Sequence, residues 1–157
     1  MKPHPYSSRI NDILRMYEAT ADSVSYLIRF WHDQSVQERI SETVLRDIKK
    51  AAASLEATFF VRLFAEYEGI LKDHLLSNHP KLQFDEKQDK VDRLLAMIDR
   101  AEHIKFKKTL REKLSDIRDY RNSIAHQSKN QASPVGLKDA AETLSLIVAQ
   151  FAWPYKS

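Results

Sequence analysis

An all-α fold is predicted by two scarcities and one periodicity. Only two glycines occur in 157 residues, and the five prolines stand at positions 3, 5, 80, 134 and 154, so long stretches contain no helix breaker. A sheet protein of this length needs many more turn residues. Apolar side chains recur instead every three to four positions through most of the chain. Together these predict one domain, 1–157, with a core over about residues 8–152 built from about five helices and containing one long central helix or a bent helix pair.

The first helix is expected to start near Ser7 or Ser8 as N-cap, with Ile10, Ile13, Leu14, Tyr17, Ala21, Val24, Leu27, Ile28 and Trp31 at helical spacing. A polar joint, His32–Ser35, precedes Val36, Ile40, Val44 and Ile48, and the period continues through Leu55, Phe59, Leu63 and Ile70. This pattern fits one very long helix or two with a bend. Phe59, Phe60, Val61, Leu63 and Phe64 are apolar on more than one face, which places the segment centrally or at a subunit contact. Gly69 weakens the helix without ending it, and the end falls near Ser77–Pro80. Asp85 is the expected cap of a third helix carrying Val91, Leu94, Leu95 and Ile98. Phe106, Leu110, Leu114, Ile117 and Ile124 define a fourth. Residues 127–136 read as a loop, and a last helix from about Leu137 to Phe151 is closed by Pro154.

Composition narrows the function. With no cysteine, disulfide frameworks and thiolate metal sites are excluded, and a reducing, cytoplasmic setting is expected. No apolar run approaches the roughly 20 residues of a membrane span, and the N-terminal residues lack the apolar segment of a signal peptide. A net charge of +3 is too small for bulk coating of nucleic acid, so any such contact should be local. Phosphate-cradling glycine loops and serine nucleophile elbows are missing from the sequence.

Chemistry is concentrated in Arg121-Asn122-Ser123-Ile124-Ala125-His126. Arginine offers a planar fork of donors to phosphate oxygens, and histidine gives or takes a proton near neutral pH, a pairing suited to phosphodiester cleavage. On an ideal helix Arg121 and His126 differ by about 140° in direction and about 7.5 Å in height, so they cannot aim at one atom from one straight helix. Either the helix ends or bends within the motif, or a second copy supplies the other half. Asn122 and His126 share a face with Arg118, whereas Arg121 falls on the apolar stripe between Ile117 and Ile124 and calls for a compensating group.

The Arg-Asn-x-x-Ala-His motif and the helical layout resemble the HEPN superfamily, small all-helical domains. The resemblance implies a two-fold homodimer whose paired motifs line one composite cleft, and an endoribonuclease needing neither cofactor nor metal. It implies catalytic roles for Arg121, Asn122 and His126. Tyr67-Glu68 resembles the aromatic-Glu step of the long second helix in that family, which makes Glu68 the expected partner of Arg121, with Glu66 in reserve. Members of the family often serve as toxins held by an antitoxin protein, or as defence and stress effectors, and some cleave transfer or messenger RNA. One subgroup carries a tyrosine two residues after the histidine; here that position is Ser128, so modification there is not expected.

Lys105, Lys107, Lys108, Arg111 and Lys113 form a basic run on the motif-bearing helix, and Lys105, Lys108 and Arg118 are the candidate substrate contacts. The run also fits a solvated face around Phe106 and Leu110. In plainer structural terms Arg121 is a buried ion pair and His126 a cation at a helix C-terminus, which would leave a non-catalytic dimerisation or RNA-binding module. His74 and His79, five apart at a helix end, are a weaker metal-site candidate, and His4, His32 and His103 are isolated.

Overall fold

The computed structural model describes residues 4–38, 42–85, 90–126 and 132–153, without the side chains of 34–38 and 126. Five helices follow in order: α1 (Pro5–Glu38), α2 (Glu42–Asn78), α3 (Val91–Glu102), α4 (Lys108–His126) and α5 (Leu137–Val148). No strand occurs among the described residues, and none of their helices is long and apolar enough to cross a membrane.

Several boundaries differ from expectation for identifiable reasons. α1 starts ahead of Ser7, because Pro5 occupies the first helical position, where its missing N–H costs nothing, and the His4 carbonyl accepts the Ser8 N–H at 3.2 Å. Ser7 lies inside the helix, and its hydroxyl donates to the Ser145 carbonyl of α5 at 3.3 Å. The polar stretch His32–Ser35 stays helical, since polarity without proline or glycine does not break a helix; residues 39–41 lie outside the described residues. Of the two layouts open in the sequence, the chain adopts two helices. They are antiparallel: Arg9 meets Glu66 and Asp73, and the Tyr17 ring lies against Phe59.

α3 begins at Val91, after extended Lys90, and Asp85 stands outside it in non-helical chain. At its end His103 takes the left-handed conformation, φ 56°, and both its N–H and that of Ile104 reach the Asp99 carbonyl, a stop usually given to glycine. Phe106 is buried in the connection ahead of α4 rather than within it. α5 stops at Val148, and Phe151 reaches the core from beyond the helix. Of the expected 127–136 loop, 132–136 are non-helical and 127–131 lie outside the described residues, as does Pro154.

α2 touches all four other helices. Its residues Phe60, Leu63, Phe64, Tyr67, Ile70, Leu71 and Leu75 are buried, which fits an apolar character on more than one face. Against them pack Ile10 and Ile13 of α1, Leu94 and Ile98 of α3, Leu114 and Ile117 of α4, and Leu144 and Ile147 of α5.

The other halves of the two long helices are built differently. Among the described residues, none of α1 after Ile13 and none of α2 before Phe60 is buried. Tyr17, Ala21, Val24, Ile28 and Trp31 on α1, and Leu45, Ile48, Ala52, Leu55 and Phe59 on α2, are half-buried at helical spacing, the stripes of two helices packed mainly on each other. The result is an arm roughly 35 Å long by helical rise. Met16, Tyr26, Leu27, Phe30 and Val44 are exposed along it.

Candidate functional site

The motif forms the last two turns of α4, where the bundle gives way to the arm. Leu114 and Ile117 bury the inward face of α4, and the Tyr120 ring meets Phe60 edge-on, with centroids 4.9 Å apart and planes at 83°. Those contacts fix the rotation of the helix and turn Arg121 toward α2. Glu56 on α2 accepts the N–H of Leu137 at 3.1 Å, so the first turn of α5 is tied to the same level.

Arg121 is half-buried. Its guanidinium carbon stands 5.6 Å from the centre of the Phe64 ring, and Nη1 donates to Asn122 Oδ1 at 3.0 Å. Nε is buried without a hydrogen-bond partner among the described residues. Stacking on a ring recovers about 0.5–2 kcal/mol for a cation, less than the cost of a buried, incompletely satisfied charge. Neither expected glutamate supplies the difference. Glu68 pairs with Lys72 one turn along its own helix at 2.7 Å, and Glu66 is held by Arg9 at 2.6 Å. Among the described residues no carboxylate forms an ion pair with Arg121; a lysine at i+4 and an arginine on α1 reach the two glutamates first.

Arg121 and Asn122 are therefore brought together, and Glu68 is not joined to them. α4 is helical through the whole motif and ends at His126, so the separation of about 140° and 7.5 Å expected of an ideal helix applies. The His126 side chain, and Ser128 beyond it, lie outside the described residues.

The expected substrate contacts divide. Arg118 is committed to neighbours: it pairs with Asp92 of α3 and with Asp119, and donates to Ser115 Oγ at 3.1 Å. These partners outweigh burial and raise its pKa above the ordinary value. It clamps α4 to α3, as does Arg111 with Asp99 at 2.7 Å. Lys105 is exposed between α3 and α4, and Lys108, exposed at the start of α4, lies 3.7 Å from Glu112. Lys108 is thirteen residues from Arg121, roughly 20 Å along the helix.

Two residues at this end stand outside the site residues expected from the sequence, although Tyr67 belongs to the aromatic-Glu step noted there. Phe64 supplies the face under Arg121, although it reads as one more core aromatic. Tyr67, wholly buried beside Phe64 with centroids 6.1 Å apart, has a hydroxyl without a partner among the described residues, and burial pushes its pKa far up. Only the i, i+3 spacing of the two rings could have paired them.

Fold and site define an all-helical protein with an incompletely satisfied arginine at the foot of a projecting helix pair. Compared with known proteins, the chain matches no family model, no curated protein and no solved structure.

Proposed function

We propose that the protein is an endoribonuclease that cleaves RNA without a metal, at a composite site formed when two copies bring their α4 ends together. The observation that carries this reading is Arg121. A guanidinium held on an aromatic face, with Nε unpaired and no carboxylate among the described residues, is suited to an incoming phosphate, whose oxygens would complete its hydrogen bonds. In the reaction the 2′-hydroxyl attacks the adjacent phosphorus and the bond to the 5′-oxygen breaks, leaving a cyclic phosphate. One His126 takes the 2′-proton, and the His126 of the second copy gives a proton to the leaving oxygen. Arg121 offsets charge on the phosphoryl oxygens, and Asn122, already bonded to it, holds it in register.

Unstacked RNA, in single strands or in transfer RNA loops, suits this chemistry because the 2′-oxygen must swing in line with the leaving group. Lys108, roughly 20 Å from Arg121 by helical rise, and Lys105, ahead of α4, would contact backbone several nucleotides away. A role as a toxin restrained by an antitoxin protein, or as a defence effector, rests on the resemblance to HEPN domains. Glu68 remains a contributor only if substrate or dimerisation draws it from Lys72.

The apolar residues exposed along the arm favour a second reading, a non-catalytic module whose arm and motif serve association alone. One experiment separates the two. Purified protein is incubated with mixed single-stranded RNA in excess EDTA, beside His126→Ala and Arg121→Ala. Cleavage by the parent alone is expected; no cleavage, or cleavage unchanged in His126→Ala, overturns the catalytic reading. Light scattering at micromolar concentration should give a dimer, and a monomer would remove the composite site.

A further inference from the structure

At the opposite end of the buried stretch of α2, ten residues and about 15 Å beyond Phe64, three ionisable side chains converge on one point. His74 Nε2 lies 2.6 Å and His79 Nε2 2.8 Å from the same oxygen, Oε1 of Glu102. His74 belongs to α2, His79 follows its last turn, and Glu102 is the last residue of α3. The ligating atoms of all three fall within 4.8 Å of one another. His74 is fully buried, Glu102 is 8 % exposed, and His79 at 21 % forms the side open to solvent.

What surrounds the three is as informative as the three themselves. Glu102 Oε2 accepts the Ala152 N–H at 2.8 Å, which fixes the carboxylate and leaves Oε1 facing the imidazoles. His74 Nδ1 lies 3.3 Å from the Tyr6 hydroxyl, a partner on the nitrogen that does not face the cluster. Metal-binding histidines and carboxylates are oriented in this way, by a hydrogen bond on the atom away from the ion. Phe151 packs on His74 with centroids 4.9 Å apart, and His4 lies against Tyr6 and Trp153 at the border of the cluster.

We propose that His74, His79 and Glu102 form a two-histidine, one-carboxylate site for a divalent transition ion of the zinc type, with a fourth position open toward solvent beside His79. Two imidazoles and one carboxylate are a zinc ligand set with a place left for water. Bonds of about 2.0–2.1 Å in tetrahedral array put ligand atoms roughly 3.3 Å apart, so each imidazole need draw back from the carboxylate oxygen by only about 0.5–0.7 Å. Each neutral imidazole must offer its Nε2 lone pair. In His74 the proton then sits on Nδ1, where it is donated to the Tyr6 oxygen. The bound ion would lock the end of α2 to the end of α3 and take no part in cleavage at the other end of the bundle.

The test uses the full chain without a polyhistidine tag, stripped with EDTA and dialysed. Titration with zinc chloride by calorimetry should give one ion per chain with a Kd of about 10 µM or tighter, and zinc should raise the melting temperature by several degrees. Cobalt chloride should give the visible absorption of a tetrahedral ion. His79→Ala and Glu102→Gln, checked for folding by circular dichroism, should each weaken binding at least tenfold, whereas Arg121→Ala should leave it unchanged. No saturable binding below about 100 µM, or binding unaffected in both ligand variants, overturns the proposal. RNA cleavage surviving in EDTA while zinc binding is lost would keep the two sites distinct.

Discussion

The two ends of the buried stretch of α2 treat their polar groups in opposite ways. At the Glu102 end, one carboxylate accepts from two imidazoles and a backbone N–H. Burial pushes its pKa up, but those three donors outweigh it and hold the value below the ordinary one. His74 is shifted down, chiefly by burial, with Glu102 opposing. At the Phe64 end, Arg121 Nε and the Tyr67 hydroxyl are both buried and have no partner among the described residues. A folded chain normally satisfies such groups, so among the described residues the first end reads as finished and the second as incomplete.

Glu102→Ala should break the finished end most severely. It leaves a buried imidazole and a backbone N–H without their acceptor, and urea unfolding should show a loss of about 3–5 kcal/mol. A loss under about 1 kcal/mol would mean that solvent already satisfies the cluster. Arg121→Met should do the reverse. RNA cleavage should fall about 10²–10³-fold, as when one charge-stabilising donor is removed, while the urea midpoint stays level or rises. A destabilisation above about 1 kcal/mol would make the guanidinium a packing element and erase the contrast.

Tyr67→Phe removes the second unsatisfied group, and stability should rise by up to about 1 kcal/mol. A marked loss would reveal a partner for the hydroxyl. Least disruptive to the monomer is the pair Tyr26→Ser and Phe30→Ser on the arm, each worth within about 0.5 kcal/mol of monomer stability because the sites are exposed. If the arm helps to seat a second copy at the motif, light scattering should nonetheless show the dimer lost; an undiminished dimer would place the contact elsewhere.

Sequence periodicity carried the fold well and the sites unevenly. Helices announce themselves through near neighbours, so Phe59, Phe60, Val61, Leu63 and Phe64 mark a segment as central or as a subunit contact before any tertiary contact is known. Boundaries were read less well where the chain used another device: Pro5 instead of a serine cap, His103 in place of a glycine stop. Arg121 was legible as an oddity, a charge on an apolar stripe, yet its compensation was not. That Glu68 pairs with Lys72 and Glu66 with Arg9 is decided by which cations arrive within reach in three dimensions. The Glu102 cluster shows the same limit. His74 and His79 are visible as a pair at a helix end, but Glu102 is 23 residues beyond His79 and among many acids, and nothing in spacing singles it out.

α2 runs unbroken from Glu42 to Asn78, through both the arm and the bundle. Its amide hydrogens should nevertheless exchange with solvent in two classes. Those from Phe60 onward are covered by other helices and should open only with the whole molecule, whereas those in the arm are covered chiefly by α1 and should exchange through local fraying far sooner. By geometry α2 is a single helix; by cooperativity it is two, and the boundary falls within one turn of the ring that carries Arg121.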